Sequence, residues 1–389
     1  MKALLVLNAG STSLKFGVFP AAGGAATLSG QIDAIGLAPR LRARKGETRF
    51  DEPLPEVAGH ACAHEEALAW LLDWLTGHLA ELELVAAGHR VVHGGTRFLQ
   101  PVRIDDAVLA ELEALIPLAP LHQPHNVRGI RALAAQRPGL PQVACFDTAF
   151  HHTQDARAAA FALPRELAGE GLRRYGFHGL SYDYIATRLP DVLGERADAR
   201  VIVAHLGAGA SMCAMRARRC VATTMGFTAL DGLMMATRPG SLDPGVLLYL
   251  MDHKGWDTER INDLLYRRCG LLGVSGLSPD MRVLLASAEP AAAEAVELYC
   301  YRAAREIGSL AAALGGLDAL VFTAGVGENA APVRARIAEL SAWTGLRLDA
   351  ERNARHATRI EAPDSAVAAA VVPTDEEGMI AGYTRALIG

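Results

Sequence analysis

The sequence predicts an α/β protein built from two domains. Three observations point there. The chain has 389 residues, more than one ordinary core organises and about right for two. Hydrophobic residues make up 51% and charged residues 21%, the balance of a well-packed globular chain and not of a disordered one. Each half also carries the same local pattern: an apolar strand run, a turn of small residues, then a second strand.

In the first half the runs are residues 3–7 and 14–19, joined as a hairpin by Asn8-Ala9-Gly10-Ser11-Thr12-Ser13. A Gly/Ala-rich loop follows at 20–26. Residues 61–84 place Leu68, Leu71, Leu72, Leu75, Leu79 and Leu82 at helical spacing. A strand ends in the HRVVHGG segment (89–95). Asp105 and Asp106 open a helix with Val108, Leu109, Leu112, Leu115 and Ile116 on one face, and Pro117 stops it. Residues 141–146 read as a buried strand ending at Asp147. In the second half, the β-branched run 201–204 meets the turn His205-Leu206-Gly207-Ala208-Gly209-Ala210-Ser211. A strand at 212–215, a basic turn and residues 220–222 follow. A helix around 288–313 leads to a strand at 319–323 and the turn Ala324-Gly325-Val326-Gly327-Glu328-Asn329. The halves share too little identity for a sequence repeat. Their echo still predicts two related α/β domains facing a shared cleft.

Composition excludes several functions. The net charge is −5, and the arginines are scattered among acids, so no nucleic-acid footprint forms. No apolar stretch is long enough to span a membrane. The N-terminal apolar run is too short for a signal-peptide core. The six cysteines form no C-x-x-C pair and read as buried reduced thiols. A cytoplasmic protein is expected.

Three glycine- or serine-rich turns each follow a buried strand. Such turns let backbone N–H groups converge on an anion. At the first, Ser11, Thr12, Ser13 and Lys15 add hydroxyls and a charge, and Asn8 could reach a metal-bound water. An ordinary Ser-rich hairpin turn explains that segment equally well. The third turn precedes a helix, whose N-terminus attracts phosphate. Together the three support a nucleotide. Arg90 ends an apolar strand, and Arg238 sits in TRPGSLDPG. Either suits bidentate carboxylate or phosphate contact, and either alone reads better as a structural ion pair. His122 lies in APLHQPHN and His178 in RRYGFHGLSY, the latter better placed for a ligand. Asp147 ends a strand, the usual ligand position in an open α/β sheet. Glu376, in Pro-Thr-Asp-Glu-Glu, suits Mg²⁺ or the first turn of a helix, and the two are compatible.

Read together, these segments resemble the acetate kinase family. The resemblance rests on NAGSTSLKF, HRVVHGG, APLHQPHN, FDTAFH, RRYGFHGLSY, HLGAGAS, TTMGFTALDGLMMATRPGSLDPG, SPDMR, FTAGVGEN and PTDEE, in that order from one end of the chain to the other. It implies two duplicated ribonuclease H-like domains of the actin-like ATPase fold, flanking an active-site cleft. It places one at 1–147, with a C-terminal helix 377–389 packing back on it, and a nucleotide-binding one at 148–376. It implies a homodimer, and reversible Mg²⁺-dependent transfer of a phosphoryl group from ATP to acetate by a direct in-line route, with Mn²⁺ as an alternative ion.

Residue roles also come with the resemblance. Asn8 and Glu376 would hold Mg²⁺, partly through water. Lys15, Ser11 and Ser13 would lie near the transferred phosphate. Arg90 would bind the substrate carboxylate, and Val92, Leu121 and Phe177 its methyl group. Asp147 would be the catalytic carboxylate. His178 and Arg238 would stabilise the transition state, with His122 nearby. His205, Leu206, Gly207, Ala208, Gly209, Asp280, Met281, Arg282, Gly325, Val326, Gly327, Glu328 and Asn329 would bind ATP or ADP. A loose transition state spreads charge over the equatorial oxygens, so positioned cations do most of the work. Acetate, with a pKa of about 4–5 like that of Glu, is already ionised and needs no general base. Asp147 is therefore expected to align or to position the metal.

Three positions depart from the family pattern. Ala208 stands where the phosphate loop usually reads HLGNG, which removes one side-chain contact. Ala229 replaces the proline of TPLEG, enlarging the acyl pocket toward propionate. PGSLDP replaces SGDID after Arg238. The competing expectations are a dedicated propionate or butyrate kinase, an ATP-binding switch protein of the same superfamily, and a catalytically impaired relative.

Overall fold

The computed structural model describes residues 2–10, 12–55, 63–79 and 82–388; Ser11 and Cys62 lie outside them. Strands β1 (Lys2–Ala9) and β2 (Leu14–Pro20) pair antiparallel, with Asn8 opposite Lys15. Their near-continuous Leu, Val and Phe content matches burial on both faces. β3 (Leu28–Asp33), β4 (Arg40–Lys45) and β5 (Thr48–Pro53) extend the meander. On β4 the period of two is plain: Leu41 and Ala43 are buried while Arg40, Arg42 and Arg44 are exposed.

β6 (Glu83–Val91) and β8 (Gln142–Phe146) continue the sheet in parallel beyond β1, and the short β7 (Val102–Arg103) closes the edge. The strand order is β5-β4-β3-β2-β1-β6-β8-β7. Helix His64–His78 sets Leu68, Leu71, Leu72 and Leu75 into the core on one side. Helix Glu376–Ile388 packs on β1, β2, β6 and β8. Its fit on β6 is close: a Cβ added at Gly88 would lie 2.2 Å from Thr384 Oγ1 and 2.6 Å from Ile380 Cγ2.

The second sheet comprises β9 (Val201–Leu206), β10 (Ala210–Arg216), β11 (Arg219–Thr223), β12 (Ala319–Thr323) and β13 (Ala368–Val371). Its order is β11-β10-β9-β12-β13. β9 and β10, and β10 and β11, pair antiparallel; β12 runs parallel to both β9 and β13. The stretch β3-β2-β1-β6-β8 has the same order and directions. The architecture is therefore α/β, with a duplicated ribonuclease H-like domain of the actin-like ATPase class. Helix Pro290–Leu314 covers β9, β10 and β11.

The chain divides into two units, 1–150 with 375–389 and 151–374. Asp375 joins the first unit with the helix it caps, its Oδ1 accepting from the Gly378 N–H at 2.8 Å. No helix among the described residues is long and apolar enough to cross a membrane.

Two local expectations change. His205, Leu206, Ala210 and Ser211 belong to strands, so the second turn is only residues 207–209, closed by the Gly207 N–H donating to the Gly209 carbonyl at 3.2 Å. The segment Ala324–Asn329 is a helical turn, not a loop. Glu328 Oε1 accepts from the Ala324 N–H at its start (2.8 Å), and the buried Arg334 donates to the Gly327 and Glu328 carbonyls at its end (2.9 Å each). Both ends of the turn are thereby satisfied.

Candidate active site

In the first unit, a charged group forms where β1, β6 and β8 end beside helix Glu376–Ile388. Arg90, the penultimate residue of β6, grips Asp147 with both Nε (3.0 Å to Oδ1) and Nη2, a bidentate pair. Its Nη1 donates to Asn8 Oδ1 at 3.1 Å. Among the described residues these contacts occupy three of the five guanidinium N–H bonds. Burial opposes the charge on Arg90, and the Asp147 and Glu376 carboxylates outweigh it, holding the guanidinium firmly protonated. Asp147 is 1% exposed and its N–H donates to the Val91 carbonyl, so it is fixed at the sheet edge.

Glu376 opens the C-terminal helix. Burial, with Asp147 and Glu377 adding repulsion, pushes its carboxyl up to about 7 against the pull of Arg90 and Lys15. The register that sets Asn8 opposite Lys15 places one oxygen donor and one cation side by side on the hairpin. Gly10 and Ser13 close the turn between them, the Gly10 N–H donating to the Ser13 carbonyl.

Two residues not singled out from the sequence hold this region together. Asn126 accepts from the Val92 N–H (3.0 Å) and donates to the Ala9 carbonyl (2.9 Å). Gln123 accepts from the His93 N–H and donates to the His93 and Leu112 carbonyls. Both are buried amides, and they tie the NAGSTS and HRVVHGG segments to the helix Gln123–Gln136. Their place in APLHQPHN was the available signal, since buried amides must be satisfied. His122 is the half-buried residue that begins this helix. Val92 is buried, while Leu121 is 38% exposed.

In the second unit the 207–209 turn is the organising feature. A Cβ added at Gly209 would lie 2.6 Å from Arg238 Nη2 and 3.3 Å from His178 Nε2, so both side-chain heads lie over that glycine. Arg238 is anchored through Nη1 to the Ala229 carbonyl at 2.7 Å. His178 takes a left-handed backbone, φ 58°, at the start of helix Gly179–Leu193. Gly176, with φ 82°, makes the preceding bend; a Cβ there would meet His151 at 2.6 Å and Thr223 at 2.7 Å.

The His178 ring stacks on His205 at 4.2 Å. His178 Nδ1 shares a 2.8 Å hydrogen bond with Ser211, which also bonds Tyr182. His205 Nδ1 shares one of 2.8 Å with Ser181, to which Thr374 donates. Ser181, Ser211, Tyr182 and Thr374 thus set the two imidazoles; all four lie in segments noted in the sequence, but none is given a role there. Leu206 and Phe177 are buried; Gly207 is half-buried and Ala208 exposed. Glu328 also accepts from the Thr374 N–H, and Asn329 donates to the Gly325 carbonyl; Val326 lies in the same helical turn. Asp280 caps helix Met281–Ala286 and pairs with the exposed Arg282, while Met281 is buried.

The comparisons with known proteins agree along the whole chain. The family model for the acetokinase family matches residues 3–382. The chain belongs to the acetokinase family. An acetate kinase from Rhodopseudomonas palustris (strain ATCC BAA-98 / CGA009) is 58% identical, covering 98% of this chain and 97% of that protein. A propionate kinase structure from Francisella tularensis subsp. tularensis SCHU S4 superposes with a TM-score of 0.93 at 37% identity, covering 100% of both chains. An acetate kinase structure from Porphyromonas gingivalis gives a TM-score of 0.90 at 36% identity, again over 100% of both. Within this acetokinase, the ordered segments noted in the sequence are therefore those of its family.

Proposed function

We propose that this acetokinase transfers the γ-phosphoryl group of ATP to acetate, reversibly, giving acetyl phosphate and ADP. The observation that carries the assignment of residues is the placing of His178 and Arg238 over the Gly209 backbone. Two donors held over a glycine turn suit a phosphoryl group whose equatorial oxygens gain charge in transfer.

Arg90 binds the acetate carboxylate with the guanidinium N–H bonds not taken by Asp147 and Asn8. Asp147 aligns Arg90. Both its oxygens already accept from that guanidinium, and acetate needs no base, so a proton-transfer role has no support. The methyl group is assigned by the resemblance to Val92 and Leu121 in the first unit and to Phe177 in the second. The transferred phosphate is assigned to Lys15 and Ser13, with Ser11 carried by the resemblance alone, and His122 is assigned a supporting role. His205, Leu206, Gly207, Ala208 and Gly209, with Asp280, Met281, Arg282 and residues 325–329, bind the nucleotide.

Asn8 and Glu376 supply hard oxygen donors of the kind Mg²⁺ or Mn²⁺ takes. The crowding of Glu376 against Asp147 and Glu377 is what a divalent cation would relieve, so these residues fit the ion. When bound, the ion would neutralise phosphate charge. A homodimer is supported by helix Pro244–Lys254, which buries none of its residues while exposing Val246, Leu248, Tyr249 and Met251. A cytoplasmic location fits the cysteine usage.

The test is hydroxamate detection of acetyl phosphate with ATP, Mg²⁺ and acetate. Product formation is expected, and its absence overturns the assignment. Propionate is a second acid, supported by the small Ala229. A methylene is worth about 1–3 kcal/mol, so the preference is modest. A kcat/KM higher for propionate than for acetate would overturn acetate as the main substrate.

A further inference from the structure

The second unit holds a buried constellation that the phosphoryl-transfer chemistry does not use. His151, Cys213 and Cys220 bring one imidazole nitrogen and two sulfurs within 4.8 Å of one another. Cys213 lies on β10, Cys220 on β11, and His151 in the turn Ala149–Thr153. All three are at most 2% exposed.

The geometry prepares His151 as a ligand. Its Nε2 meets the Phe177 carbonyl at 2.9 Å, and a carbonyl can only accept, so Nε2 carries the proton. Nδ1 therefore presents its lone pair, and it faces Cys220 Sγ at 3.2 Å. A backbone carbonyl on the far nitrogen is the usual support of a metal-ligating histidine. Gly176 leaves the ring its space: a Cβ added there would lie 2.6 Å from His151 Cγ and Cδ2. The Thr153 hydroxyl donates to the Cys220 carbonyl at 2.7 Å, fixing the β11 end.

Both cysteines are free thiols in the structure. Cys213 pairs with Thr223 and Cys220 with Met215 across a register shift between Ala214 and Met215, and at this irregular point of the ladder the two sulfurs and the His151 nitrogen converge to within 4.8 Å.

We propose that His151, Cys213 and Cys220 form a buried site for a thiophilic d¹⁰ cation, Zn²⁺ or Cu⁺. Two thiolates and an imidazole select such ions over Mg²⁺ or Ca²⁺. Binding releases the two S–H protons and forms two metal–sulfur bonds and one metal–nitrogen bond, with no change of oxidation state. Because His151 also holds the Phe177 carbonyl, the ion fixes the backbone directly before His178. The site is independent of the roles proposed for His178 and Arg238, and its test reads metal content.

The full-length chain is purified without chelator from cells supplied with zinc or with copper, dialysed, and analysed for metal by mass spectrometry. About one equivalent of zinc or copper per chain is expected. It should fall at least fivefold in Cys213→Ala and Cys220→Ser but not in Cys300→Ala, a buried thiol elsewhere. Which metal is retained distinguishes the two ions. For wild-type protein stripped by a strong chelator, zinc or cuprous ion should raise the melting temperature. Cobalt should give a near-ultraviolet thiolate charge-transfer band. Less than a tenth of an equivalent, together with no thermal shift and no cobalt band, overturns the proposal. Metal that persists in both cysteine variants does so too. The wild-type measurements stand even where a variant fails to fold.

Discussion

Asp147 illustrates how one contact redirects a chemical role. A carboxylate at a strand end reads as a base or a metal ligand, yet both its oxygens are committed to Arg90. Asp147→Asn keeps the shape and removes the charge that fixes the guanidinium. It is expected to lower kcat by about 10²–10³, the usual cost of one lost preorganised electrostatic contact. Steady-state kinetics at saturating Mg²⁺ measure it, and near wild-type turnover would end the aligning role. Gly209 makes a second case. Gly209→Ala would drive a methyl group into Arg238 Nη2, the far end of a flexible side chain. Folding should survive, with little change in melting temperature. Misplacing that head by about 1 Å is expected to reduce kcat about 100-fold. Unchanged kcat would show that Arg238 does not act from this position.

Secondary elements carry the site through their ends. Glu376 occupies its place because Asp375 starts the helix there and Gly88 lets the helix lie flush on β6. Gly88→Ala overpacks that contact and is expected to destabilise the first unit by about 1–3 kcal/mol. Pairing it with Thr384→Ala, which removes the nearest atom, should recover part of the loss. Chemical denaturation of the two single variants and the double tests this, and strict additivity would refute the contact. The helical turn Ala324–Asn329 shows the same logic at a loop. Its sequence, AGVGEN, promised a turn, but Glu328 and Arg334 satisfy its ends and make it helical. Nothing in the local hydrophobic pattern carries that information, because Arg334 acts from the following helix, Ala331–Leu340.

For the molecule as a whole, stability should fall in mild acid for an identifiable reason. Burial lowers His89 to about 4, although its hydrogen bond with Gln142 pulls the other way, and burial lowers His93 to about 4 as well. Between pH 6.5 and 4 the unfolded chain binds these two protons and the folded chain does not. The share of these two histidines is therefore intact above pH 6.5 and is lost as pH falls toward 4, by about 2 kcal/mol per histidine at pH 5. The raised Glu376 carboxyl, which takes its proton in the folded chain near pH 7, offsets about one histidine's share. Urea denaturation at pH 7 and pH 5 gives the slope, and His89→Gln should flatten it. An equal slope in that variant would remove His89 from the account. Self-association belongs at this scale too. If the proposed homodimer forms through the exposed apolar helix, Leu248→Glu is expected to yield monomers in light scattering; a wild-type monomer, or a dimer unchanged in the variant, would overturn that interface.

The sequence alone determined much of this acetokinase. Apolar runs located β1, β2, β6, β8, β9, β10, β11 and β12 but not β3, β4, β5, β7 or β13, and ordered segments such as NAGSTSLKF and HLGAGAS carried the family, because both are local properties of a chain. Tertiary structure decided how the functional groups are held. Asn126 bonding Ala9, and Ser211 holding His178, join residues 117 and 33 positions apart. The match between β3-β2-β1-β6-β8 and β11-β10-β9-β12-β13 is likewise visible only in strand pairing. Hydrogen bonds between distant segments leave no period in the sequence. A buried serine or amide reads like any polar residue until its partner is known.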